Sequence, residues 1–163
     1  MSRILAIDPG NQQSGWVIID TDTYAPLKFG KEPNPEVATR VRGAHYHALA
    51  IEQIGHYGTG MPAGRDVFDT CLWIGRYEQL ADNRHLPALL VLRATIKAHL
   101  CGTPKAKDPN VTQSLVDRFA PGQRNYGKGT KAEPGWFHGF HRDIWSAYAL
   151  AVYAADTQTG AVR

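Results

Sequence analysis

Residues Ile4–Asp20, ILAIDPGNQQSGWVIID, set two apolar β runs on either side of an Asp8-Pro9-Gly10 break. RILAID ends at that break and GWVIID follows it, with a short PLKF run before the turn cluster GKEPNPE. Three short β runs with tight separations predict an antiparallel meander. HALAIEQI, His47 to Ile54, is a further strand candidate whose apolar stretch is long enough for burial on both faces.

Beyond GMPAGR the period changes. Between Asp66 and Asp82 apolar residues recur at Val67, Phe68, Cys71, Leu72 and Ile74, which is helical spacing. Asp66 reads as the N-cap, and Asp69 adds negative charge to the first turn. Pro87 introduces ALLVLR, read as a buried strand, and the helix-compatible ATIKAHL follows. Another helix opens at Asp108-Pro109, carries Val111, Leu115 and Phe119 on one stripe, and stops before Pro121-Gly122. A last helix, from about Asp143 to Asp156, places Ala147, Ala151 and Ala155 beside Ile144, Tyr148 and Val152. Its small side chains permit close packing against a sheet. The order β-β-β-β-α-β-α-α predicts an α/β fold: a mixed five-stranded sheet flanked by helices, in one domain over residues 1–163.

Composition fits that reading. At 163 residues and 43% hydrophobic, the chain can bury a core without disulfide or metal staples. No uninterrupted apolar run of about 18 residues is present, so no membrane span is expected. The opening MSRILAIDPG has a strand pattern rather than the apolar core of a signal peptide. Cys71 and Cys101 form neither a disulfide framework nor a paired metal spacing and read as reduced thiols, so a cytoplasmic protein is expected. The net charge of +3 is unevenly placed. Seven Lys and Arg against two Asp between Lys97 and Lys131 make +5 there, leaving −2 elsewhere. A cationic surface of this kind suits a phosphate backbone; an ordinary solvated lysine loop is the plainer alternative.

Three carboxylates stand where carboxylates are unusual. Asp8 closes the first strand, Glu52 interrupts the apolar strand AIEQI, and Asp143 opens an apolar helix. Turn chemistry accounts for Asp8 taken alone, N-capping for Asp143, and an edge-strand salt bridge for Glu52. If the three converge, their repulsion demands a cation, and Mg²⁺ prefers such oxygen donors.

ILAIDPGNQQSGWVIID resembles the first hairpin of RuvC-type Holliday junction resolvases, within the RNase H-like superfamily. ALAIEQI is similar to that family's second motif, with its catalytic Glu at a strand end. DIWSAYALAVYAA resembles the C-terminal helix that supplies the last acidic residues. The matches follow the family's order over most of the chain, and its small size and divergent linking segments look more like a bacteriophage-encoded member than a cellular one. The resemblance implies a Mg²⁺-dependent crossover junction endodeoxyribonuclease, with Mn²⁺ as a substitute, acting in DNA recombination or repair. It implies two ions held by Asp8, Glu52 and Asp143, a homodimer, and branched DNA as the partner. Lys105 and Lys107 stand foremost among the expected phosphate contacts, with Arg124, Lys128 and Lys131. The family usually ends on two ligands three positions apart, whereas Phe140 and Ser146 flank Asp143 at that spacing here. His141 is the candidate for the fourth place, as ligand or proton carrier, with His138 further back.

Three other readings compete. An actin-like or sugar-kinase ATPase shares the strand-Asp-x-Gly hairpin but needs two such domains. Another RNase H-like nuclease would cut RNA, RNA–DNA hybrids or flaps. A catalytically inactive junction-binding protein is compatible with the missing fourth carboxylate. His138 and His141 in HGFH have no partner pair that would complete a zinc site. Trp136 and Phe137 follow the basic glycine-rich loop and are candidate wedges against an unstacked base.

Overall fold

The expected three-stranded meander is present and is the start of a larger sheet. The structure, a computed structural model, describes residues 2–55 and 64–158, and the GMPAGR break lies largely outside them. The strands are β1 (Arg3–Asp8), β2 (Gln13–Asp20), β3 (Pro26–Pro33), β4 (Ala48–Gln53) and β5 (Ala88–Leu92). The helices are α1 (Asn34–Arg42), α2 (Arg65–Asp82), α3 (Arg93–Cys101), α4 (Asp108–Phe119) and α5 (Arg142–Gln158). The sheet order is β3-β2-β1-β4-β5. β1–β2 and β2–β3 are antiparallel; β1–β4 and β4–β5 are parallel. The sheet is mixed and five-stranded, as the pattern predicts. Among the described residues no helix is long and apolar enough to cross a membrane.

Several local expectations are corrected. The sequence order omits α1, which occupies part of the cluster read as a turn. Pro35 sits in its first turn, where proline costs no hydrogen bond, and Val37, Ala38 and Val41 are buried. The helix-compatible segment after β5 is a full helix, α3. β5 is an edge strand in which Val91 alone is buried, rather than a buried strand. Gly64, not Asp66, caps α2, and Lys107 precedes α4 without a side-chain cap bond. Asp66, Asp108 and Asp143 lie inside first turns, where the helix dipole favours their charge.

The two faces of the sheet differ in side-chain size. On one, Leu5, Ile7, Trp16, Ile18, Leu49 and Ile51 pack against α1 and α2 through Val37, Val41, Ile74 and Tyr77. On the other, Ile4, Ala6, Val17, Ile19, Ala48 and Ala50 meet α5 through Ala147, Ala151 and Ala154. Alanine facing alanine lets α5 lie close along β1 and β2. That closeness carries its first turn to the strand ends.

The far end of α5 is clamped by charge. Asp156 accepts two hydrogen bonds from Arg118 of α4 at 2.8 Å and one from the Tyr24 hydroxyl at 2.7 Å. His99 Nε2 of α3 lies 2.7 Å from its other side. Burial alone would raise the Asp156 pKa, but the bonds from Arg118, His99 and Tyr24 outweigh it and hold the carboxyl well below the usual range. A depressed folded pKa contributes stability above the unfolded value of about 3.9 and loses it as pH falls further. Asp156→Asn is therefore expected to cost about 2 kcal/mol at pH 7. In paired urea denaturation curves the difference from wild type should shrink below about pH 4. A constant difference down to acid pH would mean that packing, not charge, makes the clamp.

Candidate active site

Sheet register brings the first two carboxylates together. Ile7 of β1 lies opposite Ile51 of β4 in parallel register, so the next residues, Asp8 and Glu52, stand side by side at the ends of adjacent strands. Asp8 is last in β1 and Glu52 one short of the end of β4. Both continue the face on which Ala6 and Ala50 meet α5. Asp8 pairs with Gly15 of β2, and over Gly15 sits the first turn of α5. A Cβ added to Gly15 would lie 2.6 Å from the Asp143 Cβ and 2.7 Å from its carbonyl oxygen. Glycine is thus required for Asp143 to reach the strand ends. The turn below is pinned from the opposite face. Ser14 Oγ donates to Asn34 Oδ1 at 2.7 Å, and Asn34 Nδ2 donates to the Gly10 carbonyl at 2.9 Å.

Electrostatics records the convergence. The Asp8 pKa is pushed up to about 8, first by burial, then by the neighbouring charges of Glu52 and Asp143, against the pull of Arg93 and Lys31. Those two cations are the chain's own compensation. Lys31 Nζ of β3, in register with Gly15, lies 2.6 Å from Asp143 Oδ2. Arg93 Nε, at the start of α3, donates to Glu52 Oε1 at 2.7 Å, and Nη2 donates to Ser146 Oγ at 3.3 Å. Arg93 also faces Asp108 at 3.5 Å.

Sequence reasoning missed both cations. Arg93 had a signal, since it ends the run ALLVLR just as Asp8 ends RILAID. Lys31 had none, being one of several charges on an exposed edge strand.

Beside this cluster opens a cavity of about 830 Å³ whose lining includes Arg93, Tyr126, Lys128, His141, Arg142 and Asp143. His141 is exposed on that lining, and its backbone carbonyl accepts from the Trp145 amide. His138 is turned away, with Nδ1 3.2 Å from the Lys128 carbonyl. Ser146, three residues after Asp143, accepts a hydrogen bond from Arg93 through its Oγ. Of the basic residues expected to meet DNA, Lys128 reaches the cavity. Lys105 and Lys107 are exposed between α3 and α4, and Arg124 and Lys131 are exposed on the connection from α4 to α5. The expected aromatic wedge is corrected. Phe137 is fully buried among Phe140, Trp145 and Tyr148. Trp136 stacks on Phe119 and donates its indole N–H to the Tyr148 hydroxyl at 3.1 Å.

The donor set suits a hard divalent cation. It comprises three carboxylates, one of them, Asp8, half-buried and held above its usual pKa by desolvation and by the other two. Among the described residues no three His, Cys, Asp or Glu side chains stand in a ready metal cage, because Asp143 is turned to Lys31 and Glu52 to Arg93. Binding an ion therefore requires these side chains to exchange one cation for another.

No protein-family model matches the chain, and no curated protein matches it. Solved structures do. The Thermus thermophilus RuvC structure superposes with a TM-score of 0.64 at 16% identity, over 97% of this chain and 96% of that one. Thermus thermophilus RuvC in complex with a Holliday junction substrate gives a TM-score of 0.66 at 16% identity, over 98% and 97%. The mixed sheet, its order and its flanking helices are those of the RuvC, RNase H-like fold.

Proposed function

We propose that this chain is a divalent-metal-dependent endonuclease that resolves Holliday junctions or related branched DNA. One observation carries the reading: Asp8, Glu52 and Asp143, from three separate elements, converge beside an open cavity that also presents Arg93, Lys128 and Arg142. The likeness to RuvC, solved with a Holliday junction, supports it at the level of the fold. Asp8, Glu52 and Asp143 would hold Mg²⁺ or Mn²⁺, which when bound lowers the pKa of a water and stabilises a leaving oxygen. Arg93 and Lys128 hold the phosphate at the cavity mouth. His141 takes the fourth place at the cluster, as proton carrier or ligand.

The test is cleavage of labelled four-way junction, flap, duplex and RNA–DNA hybrid substrates side by side, with and without Mg²⁺. Metal-dependent cutting of the junction in preference to the others is expected. Preference for hybrid or flap would make it a different nuclease of this fold, and binding without cleavage a junction-binding protein. In the same assay His141→Ala slows cutting while His138→Ala does not.

Lys105 and Lys107 precede the start of α4, exposed and placed to meet a DNA arm. Neutralising both should weaken junction binding and reduce the log–log salt slope by about 0.9 for each phosphate no longer neutralised. An unchanged slope would place the arm elsewhere.

A four-way junction has near two-fold symmetry, so paired incisions call for two copies of the chain. Phe68 and Leu72, one turn apart on α2, are 61% and 59% exposed, an apolar stripe on which a second copy can pack. Leu72→Asp should convert a dimer to a monomer in sedimentation velocity. A wild-type chain that sediments as a monomer at micromolar concentration would remove this part of the proposal.

A further inference from the structure

The connection between α4 and α5, residues 120–141, holds a strained turn with an exposed ring at its tip. Asn125 and Tyr126 both adopt left-handed backbone, at φ 53° and 54°. Asparagine tolerates that region, but a tyrosine there is disfavoured. The surroundings hold the conformation in place. The Lys128 amide donates to the Asn125 carbonyl at 3.0 Å, Gly129 to Arg124 at 3.1 Å, and Phe137 to Gly127 at 2.9 Å. Gly127, at φ 76°, is wedged so tightly that an added Cβ would lie 2.6 Å from the Ala120 Cβ and 2.8 Å from the Phe137 ring. The buried aromatics Phe137 and Phe140 anchor the segment from below.

What this rigid turn presents is Tyr126, 64% exposed on the rim of the cavity that Asp143 and Lys128 also line. Among the described residues its ring has neither a hydrogen bond nor a ring contact. Strained backbone held by its surroundings is enriched at functional positions. Tyr24 and His85 also adopt it here, so the exposure of the ring on the cavity rim is what singles out Tyr126. An aromatic face rigidly held between cations and a carboxylate cluster suits a nucleobase, since every base has a π-face and its phosphates lie within reach of lysine and arginine.

Building on the nuclease reading above, we infer that Tyr126 is a nucleobase platform. Its ring stacks on a base unstacked beside the cleaved phosphate, and so favours branched over fully paired DNA. Trp136 and Phe137 cannot serve, because both are committed to packing.

The experiment compares the full chain with Tyr126→Ala, Tyr126→Phe and Tyr126→Gly by fluorescence anisotropy on four-way junction and duplex DNA in EDTA. Tyr126→Ala and Tyr126→Gly should weaken junction binding by about ten- to a hundredfold and duplex binding little, whereas Tyr126→Phe retains the wild-type preference. Tyr126→Gly should also raise the Tm by about 2–4 °C, because glycine relieves the left-handed strain. A 5-iodouracil placed beside the cleavage position should photocrosslink to residue 126 in the wild type and in Tyr126→Phe. Undiminished junction preference in Tyr126→Ala, or a lowered Tm in Tyr126→Gly, overturns the platform while leaving the nuclease reading intact. A wild-type chain that neither binds nor cuts branched DNA overturns both.

Discussion

Asp8→Asn and Glu52→Gln each reduce metal-dependent junction cleavage by about a thousandfold or more, at or beyond the cost of removing one electrostatic stabiliser from an active site. Junction affinity should stay close to wild type, because the proposed phosphate contacts come from Arg93, Lys128 and the exposed lysines. The substitutions are isosteric and keep the strand ends in register. Asp8→Asn should also melt higher than wild type without metal, since one of three mutually repelling carboxylates is gone from a half-buried position. Cleavage rates in excess Mg²⁺ and thermal melts in EDTA check the two halves separately. Near-wild-type cleavage by either variant would remove the carboxylates from the reaction.

Gly15→Ala is expected to cost about a hundredfold in cleavage although Gly15 carries no functional group. Its new methyl would overlap Asp143 Cβ, carbonyl carbon and carbonyl oxygen, all within 2.8 Å. The first turn of α5 must retreat from β2, and a displacement near 1 Å at a reacting centre costs about 10²-fold. Overpacking of this kind also destabilises by about 1–3 kcal/mol. Gly75→Ala is the control: its added Cβ meets nothing within 4 Å on α2, so it should leave cleavage unchanged. It should stabilise the fold by about 0.5–1 kcal/mol. Equal cleavage by Gly15→Ala and wild type would show that Asp143 does not need its place over β2.

All three carboxylates stood out along the chain, because their signals are local. Alternating apolar runs and a Pro-Gly break mark β1, and a glutamate inside AIEQI stands out from its strand without coordinates. The alanine stripe of α5 likewise announces a helix that packs closely on a sheet. The register of Ile7 with Ile51 then follows from burying both strands on both faces, and it is what turns two distant acids into neighbours.

Other features depend on competition between distant segments for the same space. Pro33-Asn34-Pro35 has the chemistry of a turn and equally of a helix's first turn. The choice falls to α1 because Val37 and Val41 find core volume beneath β2. Lys31 and Arg93 become site residues because β3 and β5 bracket the sheet, and their charges are drawn to carboxylates more than twenty residues away in sequence. The 120–141 connection is rich in aromatic residues, and nothing local distinguishes one ring from another. Packing against Phe119, Tyr148 and Phe140 takes Trp136 and Phe137 into the core and leaves Tyr126 in solvent. Local periodicity marked the strands and helices of this chain, α1 excepted, because backbone propensity acts over a few residues. Which side chains meet at the strand ends was settled by close packing, which acts between segments however far apart they lie in sequence.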